Sequence, residues 1–130
     1  QGQNILEMNQ NELLLALYDG LVKQLTRCDI ALTHENYALL DDSADRAIAI
    51  LRYLDDTLDM RYPISRELHR LYDYFSYEMN RIKIGRNKDE LDKVRPMMID
   101  LRDTFHAANK NCAEGRGGEV PPVGTQEAGG

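Results

Sequence analysis

The stretch Asn9-Gln10-Asn11-Glu12-Leu13-Leu14-Leu15-Ala16-Leu17-Tyr18-Asp19-Gly20-Leu21 decides the fold. It begins with an Asn three positions before a Glu. That pair closes a helix N-terminus reciprocally: the Asn side chain accepts from the Glu N–H, and the Glu side chain accepts from the Asn N–H. Apolar groups then recur at Leu14, Tyr18, Leu21, Leu25, Cys28 and Leu32, in steps of four and three. Such steps track the 3.6-residue turn and lay one apolar stripe along a helix. A stripe must be buried against something, so one amphipathic helix calls for others.

The others follow in order. Leu40, Ala44, Ala47, Leu51, Leu54 and Leu58 repeat the pattern, which stops at Arg61-Tyr62-Pro63. Pro63 suits the first turn of a new helix, where a missing N–H costs nothing. Ile64, Leu68, Leu71, Phe75, Met79 and Ile82 form a third stripe, with Gly85 placed to end it in a left-handed conformation. Asn87-Lys88-Asp89-Glu90 repeats the opening signature, and Leu91, Val94, Met98, Leu101, Phe105 and Ala108 form the fourth stripe. The first boundary, Thr33-His34-Glu35-Asn36, is polar but contains neither Gly nor Pro.

Short connections make sequential helices antiparallel neighbours. The expected fold class is therefore all-α: an antiparallel up-down four-helix bundle over residues 9–110, preceded by a short segment, residues 1–8. Pro96 lies inside the fourth helix but nearly opposite its stripe, so the carbonyl it leaves unpaired faces water; a kink is expected there, not a break. Residues 111–130 are rich in Gly and Pro and poor in large apolar groups, which predicts a flexible C-terminal tail.

A chain of 130 residues holds one domain and can bury a core without disulfides or metals. The formal net charge is −6, with Lys and Arg dispersed among the acids, which argues against nucleic acid or a membrane surface as partner. No run approaches the roughly 18 apolar residues of a membrane helix, and the first residues lack the pattern of a signal peptide. Cys28 sits on the first stripe, where a buried free thiol is the plain reading, and Cys112 lies far from it. That usage fits a reducing, cytoplasmic setting.

Catalytic chemistry finds little support. A di-metal bundle needs inward carboxylates and paired Glu-x-x-His motifs. None occurs, and Asp103-x-x-His106 is the nearest approach. No metal and no cofactor are expected. His34, His69 and His106 are candidates for phosphotransfer by residue type alone. Ser43, Ser65 and Ser76 lack His and Asp partners spaced to suggest a triad. The reading is a binding protein and not an enzyme.

Binding is signalled by surplus apolar surface. Leu13, Leu15 and Leu17 flank the first stripe; Leu39 and Ile50 widen the second on one side, and Ile48 on the other. Tyr53 and Met60, like Tyr77 and Ile84 on the third helix, project almost opposite the core residues. Contiguous apolar patches mark interaction sites, and grooves between bundle helices accept amphipathic partner helices.

Four stretches then stand out: Leu17-Tyr18-Asp19-Gly20, Leu54-x-x-x-Leu58-Asp59, Leu71-Tyr72-Asp73-Tyr74 and Leu101-Arg102-Asp103-Thr104-Phe105. In this order, one per expected helix, they resemble the FliS family of flagellar export chaperones over roughly residues 9 to 110. The departures are a missing Pro before the first helix, Phe105 where Trp is commoner, Ile82-Lys83-Ile84-Gly85 in place of an alanine-asparagine pair, and Pro96. The resemblance implies the same antiparallel bundle. It implies binding, in hydrophobic grooves, of flagellin's C-terminal segment, which is disordered when free and helical in the filament. Such binding prevents premature polymerisation and aids type III flagellar export. In the family the region before the first helix can cover the groove; here that segment, Gln1 to Met8, is short, and whether it caps the site stays open.

The partner-binding residues expected on this reading are Leu13, Leu17, Tyr18, Ile48, Ile50, Tyr53 and Tyr72. For Tyr18 and Tyr72 a core position with a hydrogen-bonded hydroxyl stays open. Export-gate components and a homodimer stay open as further partners. The alternatives are a histidine phosphotransfer bundle and a self-associating relative that no longer binds flagellin.

Overall fold

The computed structural model describes residues 9–113, which form four helices: α1 (Gln10–Thr33), α2 (Tyr37–Asp56), α3 (Pro63–Gly85) and α4 (Lys88–Ala113). α1 packs on α2 and α4, and α3 packs on the same two. Each sequential pair is antiparallel, so the fold is the all-α, up-down four-helix bundle that the stripes predict. The core joins Leu14, Leu21 and Leu25 of α1, Leu40, Leu51 and Leu54 of α2, Phe75, Met79 and Ile82 of α3, and Leu91, Val94 and Met98 of α4. Cys28 is a free, fully buried thiol, and burial pushes it up to about 11.

The caps explain where the helices stop. Asn9 Oδ1 accepts from the Glu12 N–H at 2.8 Å, and Glu12 Oε1 accepts from the Asn9 N–H at 3.1 Å. At the other end of α1 the chain turns through Glu35, at φ 54°. Its N–H donates to the Leu32 carbonyl, and the Asn36 N–H donates to the Ala31 carbonyl at 2.8 Å. This is a Schellman closure with Glu in the left-handed seat that Gly usually takes. Asn36 serves both sides: its N–H closes α1, while its side chain accepts from the Leu39 N–H and opens α2.

The same device recurs between α3 and α4. Arg86 is left-handed at φ 52°, the Asn87 N–H donates to the Ile82 carbonyl, and Asn87 Oδ1 accepts from the Glu90 N–H. The left-handed residue is thus Arg86 and not Gly85, which remains helical. Its guanidinium stacks 3.7 Å from the Tyr37 ring centroid, and that contact helps hold the unfavourable backbone.

The link between α2 and α3, residues 57–62, is built differently. Asp59 is 7% exposed and gripped by the Arg61 guanidinium, while its carbonyl accepts from Ser65 Oγ at 2.6 Å. The Arg61 contact holds the Asp59 carboxyl down to about 2. Leu58, predicted on the α2 stripe, lies in this link, because Thr57 caps the helix against the Tyr53 carbonyl. Leu58 still packs against the core from outside the helix.

Three further differences from the spacing are physical. Ile64 is 48% exposed, while the next residue, Ser65, turns inward and donates to the Asp59 carbonyl. Tyr72 is buried where Leu71 was expected, and Leu71 sits half-buried beside it. α4 continues to Ala113, past the residue 110 boundary. Pro96 is exposed within a continuous α4, as its position opposite the stripe requires. The expectations for residues 1–8 and for the rest of the tail fall outside the described residues.

Candidate functional site

A buried side-chain polar contact crosses the bundle interior. The Tyr18 and Tyr72 hydroxyls meet at 2.5 Å, reaching from α1 and α3 across the bundle. Tyr18 also lies against Phe105 of α4, with ring centroids 4.6 Å apart. Burial, then the neighbouring phenol, pushes the Tyr18 hydroxyl far up; burial pushes Tyr72 up to about 12. Both are neutral hydrogen-bonding groups across the working range of pH.

Outside this layer two apolar grooves run along the seams. The first is a shallow cleft of about 10 Å³ between the N-terminal half of α1 and the C-terminal half of α2, lined by Gln10, Leu13, Leu14, Leu17, Tyr53 and Thr57. Ile50 continues it: a Cβ on Gly20 would stand 3.5 Å from Ile50 Cδ1. Leu13, Leu17 and Ile50 are half-buried, and Tyr53 is 46% exposed. The second groove, of about 320 Å³, lies between α3 and α4 and is lined by Leu71, Phe75, Met97, Asp100, Leu101 and Thr104.

Of the residues singled out in the sequence, Leu13, Leu17 and Tyr53 line the first cleft, and Ile50 lies further along the same seam beside Gly20. Tyr18, Tyr72 and Ile48 do not join them at the surface. They are 0%, 2% and 6% exposed and belong to the core beneath. Ile48 is drawn in because α2 is covered on two sides, which widens its buried stripe. The α3–α4 groove was not singled out. Leu71 and Leu101 read as core positions, and the only available signal was the width of the apolar run Met97-Met98-Ile99.

Polar seams separate these grooves. His69 Nδ1 is 2.6 Å from Asp55 Oδ1, joining α3 to α2, and His106 Nε2 is 2.9 Å from Asp19 Oδ1, joining α4 to α1. Asp55 raises the His69 imidazole above its ordinary value. A depression of about 510 Å³ beside the first pair is lined by Arg52, Asp55, Asp56, Asp73 and Asn80 among others. Among the described residues, no group of His, Cys, Asp or Glu converges to hold a metal, and no helix is long and apolar enough to cross a membrane.

Four antiparallel helices with apolar surface along two seams define an all-α bundle protein. The sequence matches the family described as flagellar protein FliS over residues 1–112. The chain belongs to this family, FliS, whose members are flagellar export chaperones. No curated protein matches the sequence.

Proposed function

We propose that this chain is a non-catalytic cytoplasmic chaperone that binds the C-terminal segment of flagellin, keeps it from polymerising prematurely and holds it for type III flagellar export. The observation that supports the reading is the apolar strip along the α1–α2 seam, where Leu13, Leu17 and Tyr53 line a shallow cleft and the half-buried Ile50 lies beside Gly20 further along. Residues 10–20 span about 15 Å of α1 at 1.5 Å per residue, room for two to three turns of a partner helix. An amphipathic segment with anchors at i, i+3, i+4 and i+7 matches such a strip. A segment that is disordered when free spends its ordering entropy on binding and offsets it by apolar burial.

In this reading Leu13, Leu17, Ile50 and Tyr53 touch the partner. Tyr18, Tyr72 and Ile48 act from beneath, fixing the helices that carry the strip. The α3–α4 groove offers a second apolar seat for another part of the same segment.

Calorimetric titration with a flagellin C-terminal peptide, followed by circular dichroism, tests this. The expected result is binding with a negative heat-capacity change and new helix. Ile50→Asp and Tyr53→Asp place charges in the strip without entering the fully buried core. Each should weaken binding by about 30-fold or more, the cost of losing a contact worth about 2 kcal/mol. Undiminished binding by the folded double variant would remove the α1–α2 groove from the proposal. No binding by the intact chain would remove the flagellin reading.

A further inference from the structure

α3 and α4 meet through two acids. Glu78 of α3 is 3% exposed. Arg81 Nη1 stands 3.3 Å from Glu78 Oε1 and 3.5 Å from Glu90 Oε1 of α4. One nitrogen therefore touches both carboxyl groups, which places them side by side across the seam. Lys93 Nζ approaches Glu90 Oε1 at 3.3 Å. Both cations remain wet, with side chains 44% and 57% exposed, and their contacts are long. Glu90 Oε1, in contrast, is closed off from solvent and receives no hydrogen bond.

Two ionised carboxylates in this arrangement carry two costs. Glu78 would be a desolvated charge beside a like charge, and Glu90 Oε1 would be a buried acceptor with only the long approaches of Arg81 and Lys93 and no well-aligned donor. A single proton removes both. On Glu78 it neutralises the more buried group and supplies the missing donor.

We propose that Glu78 and Glu90 share one proton across the α3–α4 seam, Glu78 donating its O–H to Glu90 Oε1, at pH values where exposed glutamates are ionised. Burial, then the facing Glu90, raises the Glu78 carboxyl, and the hydrogen bond from Glu78 lowers that of Glu90. The charged groups facing the pair are Arg81 from α3 and Lys93 from α4, with Tyr74 of α3 beside Lys93. Among the described residues neither carboxyl pairs with a charged group of α1 or α2.

The sign of the linkage follows. A carboxyl whose folded value lies above its unfolded one stabilises fully below the ordinary glutamate value, about 4.3. That contribution is lost as the pH rises through the folded value. Glu90 runs the other way: its contribution is lost as the pH falls through its own lowered value. The fastening therefore weakens on the alkaline side. It leaves two like charges one helical turn from Phe75, where the apolar α3–α4 groove begins. The seam becomes a pH-sensitive edge of that groove, whether or not a partner occupies it.

Carboxyl-carbon NMR titration of the intact chain tests the proposal. The Glu78 midpoint should lie above that of Glu67, whose side chain is 71% exposed and serves as internal reference. Glu78→Gln mimics the protonated acid and keeps a donor for Glu90. Its melting temperature should equal or exceed that of the unaltered chain on the alkaline side, with a flatter dependence on pH. A Glu78 midpoint at or below that of Glu67 overturns the proposal. So does a Glu78→Gln variant weakened at every pH, the signature of a lost Glu78–Arg81 ion pair. Should that variant not fold, the titration of the unaltered chain decides alone.

Discussion

At the residue scale, the Tyr18–Tyr72 contact makes an asymmetric prediction. Tyr72→Phe strands the Tyr18 hydroxyl, which is 0% exposed, and should cost about 1–3 kcal/mol in denaturant unfolding. Tyr18→Phe should cost less, because Tyr72 lines the open depression between α2 and α3, where water can replace the lost partner. The double variant should cost well below the sum of the two, since it leaves no orphan. Gly20 makes the opposite kind of prediction. An Ala Cβ would sit in ordinary contact with Ile50, so Gly20→Ala should raise stability by about 0.5–1 kcal/mol through helix propensity alone. For His69, a titration followed by imidazole NMR should show a midpoint above the ordinary 6.5, returning toward it in Asp55→Asn. Because the folded value is raised, this clasp stabilises the bundle below the ordinary midpoint and is lost as the pH rises through the folded one. Tyr18 was legible from its place on a regular stripe. For Tyr72 the core place was one of two open readings, because residues 71 and 72 both fall within the apolar arc of α3. Which of them turns inward depends on neighbours that no local period reveals.

At the element scale, the helix starts were written in the sequence because capping is local chemistry. Asn9 with Glu12 and Asn87 with Glu90 lie three residues apart, so the chain itself carries the geometry. The stops were less legible. Gly85 carries the usual signal for a left-handed stop, yet the strained seats fall on Glu35 and Arg86. A non-glycine residue in that conformation costs roughly 1 kcal/mol or more. Glu35→Gly should therefore stabilise the bundle by about 1 kcal/mol in thermal or denaturant melts. Arg86→Gly should gain less, because it also removes the stack on Tyr37. Equal gains at the two sites would show that the stack contributes nothing to holding this turn.

At the scale of the whole molecule, the bundle follows from four stripes and short connections, and both were plain in the sequence. The grooves were only half plain. Surplus apolar residues at Leu13, Leu17, Ile50 and Tyr53 pointed to a surface; Leu13, Leu17 and Tyr53 line one shallow cleft, with Ile50 further along the seam. The α3–α4 groove stayed hidden because it is made by a gap between helices, and a gap depends on how far two stripes stand apart. Both grooves lie within sequential pairs, α1 with α2 and α3 with α4. Each pair is closed at one end by a single Asn that ends one helix and begins the next. Along the chain, residues 57–62, clamped through Asp59, Arg61 and Ser65, connect one pair to the other. The molecule is in this sense two hairpins on one strap. A nick in the strap would leave each hairpin with its own groove and its own closed end. The halves would then be held by the shared core and by polar clasps such as His69–Asp55 and His106–Asp19, a heterodimer whose melting temperature climbs with concentration.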